Sequence, residues 1–190
     1  MLDFLTGLDQ RIFIAIHHQF SHPLADSFFL WVTDLHRTIY FKLVLIPIAI
    51  FLFVRSYKRE GLILFFILAL GLGINDFVGG KIKHAVNRER PYENAEVSAV
   101  AKSPAGGHSF PSNHASNMFT FATYTAQLIP AAGVPLYIIA GTVAYSRVYN
   151  GVHYPSDVLA GSLFGYLWGF FLSNVAKKIL QKIRNRKKAE

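Results

Sequence analysis

"ASNMFTFATYTAQLIPAAGVPLYIIAGTVAYS", residues 115–146, carries no charged side chain over 32 positions. About 20 apolar residues cross a bilayer as a helix, so this stretch is too long for one span. Pro130, Gly133 and Pro135 fall in its middle and predict two helices joined by a tight turn. Residues 61–75, GLILFFILALGLGIN, are uncharged up to Asp76, and 158–176, VLAGSLFGYLWGFFLSNVA, are uncharged throughout. Thr38–Val54 is a further candidate, with Lys42 placed to snorkel. Five spans result, and they predict an all-α integral membrane bundle in one domain covering residues 1–190.

Composition agrees. The chain is 52% hydrophobic and 15% aromatic but only 16% charged, against about 25% charged in an ordinary soluble domain. Without cysteine there is no disulfide, thiol nucleophile or thiolate metal site. The net charge of +8 comes with no nucleic-acid-binding motif, so membrane lipid headgroups and a phosphorylated substrate are the expected partners.

The first 35 residues read differently. Phe4, Leu5, Leu8, Ile12 and Ile16 recur at helical spacing, with Asp9 and His17 elsewhere on the wheel. That pattern predicts N-terminal amphipathic helices lying in the interface, with a sixth span as the alternative. Asp3, Asp9, Arg11 and the His17–His18 pair interrupt the apolar residues, so the segment does not read as a secretory signal.

Basic residues set the expected sidedness. Arg55, Lys58, Arg59 and a tail over 177–190 place ten lysines and arginines on one side of a five-span chain. Lys81, Lys83, Arg88, Arg90, Lys102 and Arg147 place six on the other. The larger set belongs in the cytoplasm, which makes this a multi-pass protein of the cytoplasmic membrane. The same alternation gathers KIKHAVNRERP, FPSNH and SRVYNGVHYPSD at the opposite, outer face.

Those three segments can do chemistry. Lys83, Arg90 and Arg147 repel one another unless an anion sits among them, and guanidinium groups match phosphate oxygens with paired donors. Ser112 and Asn113 follow Pro111 where a helix should start, so free backbone amides would favour the same anion. His153 and Asp157 are four apart, with Pro155 where a helix begins. A carboxylate holding one imidazole nitrogen leaves the other free as a nucleophile. His114 could supply the proton that a leaving oxygen needs. His114, His153 and Asp157 could also ligate zinc, but the surrounding cations oppose a divalent ion, so no metal or other cofactor is expected.

Lys83 to Pro91 reads K-x6-R-P, FPSNH is similar to P-S-G-H, and Ser146 to Asp157 reads S-R-x5-H-x3-D. In this order they resemble the three-part signature of the type 2 phosphatidic acid phosphatase superfamily. The resemblance implies a metal-free phosphatase in which His153 attacks phosphorus and Asp157 orients it. His114 would then protonate the leaving group and later activate water. Lys83, Arg90, Ser112, Asn113 and Arg147 would hold the phosphate. Asn113 departs from the pattern, which usually has glycine there, and this bears on substrate preference more than on activity.

Within the superfamily the chain resembles the membrane-embedded bacterial lipid phosphatases. Its N-terminal stretch is similar to that of short undecaprenyl pyrophosphate phosphatases, which makes that diphosphate the first expected substrate. Lipid A 1-phosphatases and phosphatidylglycerophosphate phosphatases share the motifs. Two rivals are a catalytically silent phospholipid-binding protein and a vanadate-dependent haloperoxidase. A binder does not require two histidines and an aspartate, and the haloperoxidases are larger and soluble.

Overall fold

The computed structural model describes residues 2–189 and is helical, with no strand among them. Seven α-helices follow in order: α1 Leu2–Ile14, α2 Pro23–Asp34, α3 Ile46–Tyr57, α4 Glu60–Val86, α5 Asn113–Leu128, α6 Gly133–Tyr149 and α7 Pro155–Ala189. The uncharged stretch does split as its prolines dictate, between α5 and α6 at a 3₁₀ turn over Pro130–Ala132. By length and apolarity three helical segments can cross a bilayer, Glu60–Glu93, Pro130–Tyr149 and Pro155–Lys187. A bent pair, Pro23–Arg37 with Phe41–Tyr57, turns by 63° and makes a fourth. Three or four segments therefore qualify, against the five or six expected.

The difference lies in α5. Its 16 residues are short for a span and rich in hydroxyls. Ser116, Thr120, Ala122, Thr123, Tyr124, Thr125 and Leu128 are all buried, because α5 is enclosed by its neighbours instead of facing lipid. Its polar groups find internal partners: Thr120 Oγ1 donates to the Gly165 carbonyl at 3.2 Å and Tyr124 Oη to that of Leu64 at 2.8 Å. Lipid-compatible side chains lie on the outer helices instead, with Phe66, Leu70 and Phe77 of α4 and Leu159, Leu163 and Leu167 of α7 exposed.

Two apolar clusters hold the bundle. Phe53, Leu64, Leu68, Tyr124, Leu128, Leu172, Ala176 and Leu180 pack at one end. Leu180 belongs to the segment expected to be a basic tail; α7 continues through it, and Arg184 pairs with Glu60 at 2.8 Å. The second cluster joins Phe13, Val97, Ala115, Ala144, Val148, Tyr154 and Val158, from six different segments.

Phe13 shows how the N-terminus departs from expectation. Asp9, Phe13 and His17 face the bundle and are buried, whereas Leu8 and Ile12 point outward. The polar residues expected to face water face protein, because partners wait for them there. His17 Nδ1 donates to the Tyr149 carbonyl at 2.8 Å, and its Nε2 accepts from the Val100 amide at 3.2 Å. Burial lowers its pKa, in keeping with a neutral ring that has one donor and one acceptor nitrogen.

The closest packing is between α5 and α7. Gly161, Gly165 and Gly169 lie directly over the carbonyls of Ser112, Ser116 and Thr120; a Cβ at Gly169 would stand 2.7 Å from the Thr120 oxygen. Small residues at this spacing let helix backbones touch. Gly165→Ala should therefore lower the melting temperature in detergent, the overpacking costing about 1–3 kcal/mol. Gly73→Ala on α4, where nothing lies within 4 Å, should leave it unchanged or raise it. Equal melting of the two variants would remove the glycine contact as a structural determinant.

Candidate active site

Four helix ends meet at one end of the bundle: the C-termini of α4 and α6 and the N-termini of α5 and α7. α4 stops at Asn87, whose left-handed φ of 54° and backbone N–H, donating to the Lys83 carbonyl, close the helix. Arg90 precedes Pro91 and is extended, as residues before proline are. Ser112 caps α5, and its amide donates to the Asp157 carbonyl at 3.0 Å, which locks the two N-termini together. Asp157, at the third position of α7, accepts from the Tyr154 amide at 2.9 Å, a reach-back contact that fixes the helix start.

The expected cations converge here, and neutral oxygens hold them. Lys83 Nζ donates to the carbonyls of His108, Ser109 and Pro111 at 3.0, 3.2 and 2.6 Å. Arg90 donates to those of Gly106, Gly107, His108 and Val152. Arg147, only 1% exposed, donates to Thr33 Oγ1 at 2.5 Å and Ser103 Oγ at 3.4 Å, and its Nε has no partner. None of the three forms an ion pair with a carboxylate among the described residues. Unneutralised ions cost several kcal/mol each to bury, a cost that an anion among the three would offset.

His153 sits among them, buried in the loop between α6 and α7. Its Nε2 accepts a hydrogen bond from Arg90 Nη1 at 3.3 Å, which the guanidinium must release before that nitrogen can attack. Nδ1 is 3.5 Å from Asp157 Oδ2 and has no other partner. That is long for a hydrogen bond, though such contacts are often loose before substrate binds. Burial pushes the imidazole down to about 3 against the pull of Asp157, with Arg90 and Arg147 adding to the depression. The balance favours the neutral form of the ring.

His114 lies in the first turn of α5, within electrostatic reach of Arg147, His153 and Lys83. Asn113 directs its amide at α4: Nδ2 donates to Asp76 Oδ1 at 2.8 Å, and the side chain lies over Gly79. The missing side chain at Gly79 makes room for the added one at Asn113. Lys102 and His108 of the 92–110 loop are taken up structurally. Lys102 is tied to Asp26 at 2.7 Å and Ser21 at 2.8 Å, and the His108 ring lies 5.8 Å from that of His84.

Sequence reasoning gave no role to Thr33, to His36, whose ring stands 5.0 Å from that of His114, or to the Asp9–Arg88 pair. Charges such as Asp9 inside apolar runs were the available signal, since each demands a partner.

A family model of the PAP2 superfamily matches residues 61–181, well over half of the chain. The chain belongs to the PAP2 superfamily. It is similar to a lipid A 4′-phosphatase of Bacteroides thetaiotaomicron, 26% identical over 97% of this chain and 84% of the relative. An undecaprenyl-diphosphatase of Sulfolobus acidocaldarius is 34% identical over 68% of this chain and 62% of its own length. A crystal structure of a transmembrane PAP2-type phosphatidylglycerolphosphate phosphatase from Bacillus subtilis superposes with a TM-score of 0.70 at 26% identity, covering 92% of this chain and 87% of that one. This PAP2 protein is thus a phosphatase of the membrane lipid branch, and all three motifs fall within the matched region.

If the cradle awaits an anion, Arg147→Met should melt no lower than the native protein while phosphate release falls about 100-fold or more. Inorganic phosphate should raise the native melting temperature and leave that of Arg147→Met unmoved. A variant that melts much lower and keeps its turnover would make Arg147 a structural residue.

Proposed function

We propose that this PAP2 protein hydrolyses a lipid diphosphate or phosphomonoester at the outer face of the cytoplasmic membrane, through a phosphohistidine on His153. The observation that carries this is the neutral, buried His153 imidazole beside three cations without carboxylate partners. The phosphate enters among Lys83, Arg90 and Arg147, with the amide end of α5 at Ser112 and Asn113 adding donors. His153 Nε2 forms a bond to the terminal phosphorus as that phosphorus loses its leaving oxygen, the bridging oxygen of a diphosphate or the lipid oxygen of a monoester, and Asp157 takes up the charge on Nδ1.

His114 donates its proton to the departing oxygen. The substrate's own negative charge favours the protonated ring for that step. Neutral His114 then removes a proton from water, whose oxygen displaces the imidazole and frees inorganic phosphate. The cations stabilise the equatorial oxygens in both steps without a metal.

Undecaprenyl diphosphate is the substrate we favour, on the likeness of the N-terminal stretch and the 34% identity to the Sulfolobus enzyme. The likeness to a lipid A 4′-phosphatase over 97% of the chain favours a lipid A phosphate as the alternative. In the membrane α5 would be a fifth, enclosed span, and the outward Leu8 and Ile12 of α1 would rest in the interface.

A phosphate-release panel of undecaprenyl diphosphate, lipid A, phosphatidylglycerophosphate and phosphatidic acid ranks the substrates. On the best of them His153→Ala should abolish turnover and any trapped phosphoenzyme. His114→Ala should fail with the lipid yet still form phosphoenzyme from an activated aryl phosphate, whose leaving group needs no proton. Native activity should survive chelator; loss to EDTA and restoration by zinc would overturn the phosphohistidine route.

Orientation is tested separately. A reporter fused after Glu190 should be cytoplasmic and one inserted at Ser98 external. The reverse pattern would move the site to the inner leaflet.

A further inference from the structure

Asp9 and Arg88 lie outside the three motifs, yet both are built into the site. Arg88 Nη1 donates to Asp157 Oδ1 at 2.5 Å, and its Nη2 donates to Asp9 Oδ2 at 2.6 Å. The guanidinium lies 4.2 Å from the centre of the Tyr154 ring. Asp9 also accepts from the Ser156 amide at 2.8 Å and from Ser156 Oγ at 2.5 Å. Ser156 Oγ in turn accepts from Arg88 Nη1 at 2.7 Å. A carboxylate of α1 thus caps the N-terminus of α7, and one arginine spans the two aspartates. The side chain of Asp157 is fully buried and that of Asp9 only 9% exposed, so the bridge is largely shielded from water.

The division of oxygens on Asp157 is the informative part. Oδ1 is taken by Arg88, while Oδ2 accepts from the Tyr154 amide and is the one facing His153 Nδ1. With Arg88 in place the carboxylate cannot rotate, and only one oxygen is left for the imidazole. Half of the carboxylate's charge is also answered by a cation other than His153. A neutral imidazole beside an unshared carboxylate would be drawn towards its protonated, non-nucleophilic form.

Resting on the assignment of His153 as nucleophile and Asp157 as its orienting carboxylate, we infer that Arg88 is a positioning residue for that pair. Held by Asp9 of the N-terminal helix, it fixes which Asp157 oxygen meets His153 and takes a share of that carboxylate's charge. The first helix is thereby a working part of the catalytic centre. Other charges bear on the same point. His153 is faced by Arg90, by Arg147 of α6 and by His114 of α5, and Lys83 of α4 is within reach of Asp157. These remain in place when Arg88 is changed, so their influence cancels in a comparison of variants.

The experiment compares full-length native protein with Arg88→Ala, Arg88→Lys, Asp9→Asn and His153→Ala in detergent. The substrate is the one turned over fastest, and kcat, KM, melting temperature and the pH dependence of kcat/KM are recorded. Arg88→Ala should lower kcat about 100-fold through misplacement of the pair, with KM changing far less. Its acid limb should move to higher pH: without the guanidinium, Asp157 bears on His153 alone and holds the imidazolium to higher pH. Arg88→Lys keeps the charge, so the limb should stay near its native position and at least tenfold of the lost rate should return, about 1.4 kcal/mol. Asp9→Asn should reduce kcat without moving the limb upward.

Arg88→Ala within about threefold of native kcat would overturn the inference. So would a large loss with the limb unmoved and no rescue by lysine, because a purely structural tie would act through melting alone. An active His153→Ala would instead sink the nucleophile assignment itself, whatever Arg88 does.

Discussion

Gly161, Gly165 and Gly169 present no side chain to α5, so α7 runs along the backbone of its neighbour, over the carbonyls of Ser112, Ser116 and Thr120. This contact sets the distance between the two helix N-termini. Ser112 can then bond the Asp157 carbonyl, and the turn bearing His114 stands beside the loop bearing His153. Widening that contact by one methyl group would separate the two histidines that the proposed chemistry divides between them. Glycine is expensive in an isolated helix, but within a membrane bundle close approach is the main route to stable packing.

Electrostatics follows from the same geometry. Four helix ends bring Lys83, Arg90 and Arg147 around His153, and loop carbonyls and hydroxyls satisfy their hydrogens without cancelling their charge. Partners of this kind fix direction but leave the positive potential available to an incoming anion. Placing carboxylates there would have stabilised the empty protein and filled the site. The one carboxylate admitted, Asp157, is shared with Arg88 and turned behind His153. Net positive charge in front and a single shared negative charge behind suit an in-line attack by the imidazole on phosphorus.

The N-terminal segment completes the centre. α1 supplies Asp9 and Phe13, the π-helical turn after it supplies His17, and the end of α2 supplies Thr33 to Arg147 and brings His36 to His114. The 92–110 loop is pinned to these elements through His17, His18 and Lys102. Rigid loop carbonyls for Lys83 and Arg90 therefore depend on a segment whose own sequence looks peripheral.

Much of this was legible in the chain itself. Uncharged length and the position of proline determined the helices, because lipid admits no unpaired backbone and proline cannot continue a helix. The spacing of lysine, arginine, serine, histidine and aspartate in three segments marked residues that the fold brings together at four helix ends. Which way Asp9 and His17 faced was not legible. A polar residue on an amphipathic helix can face water or a buried partner, and only the position of Arg88, Val100 and Tyr149 in space decides between them. The enclosure of α5 was likewise a tertiary matter. Hydroxyl-rich sequence lowers apolarity whether a helix faces solvent or the carbonyls of its neighbours, and contact with Gly165 and Leu64 alone tells them apart.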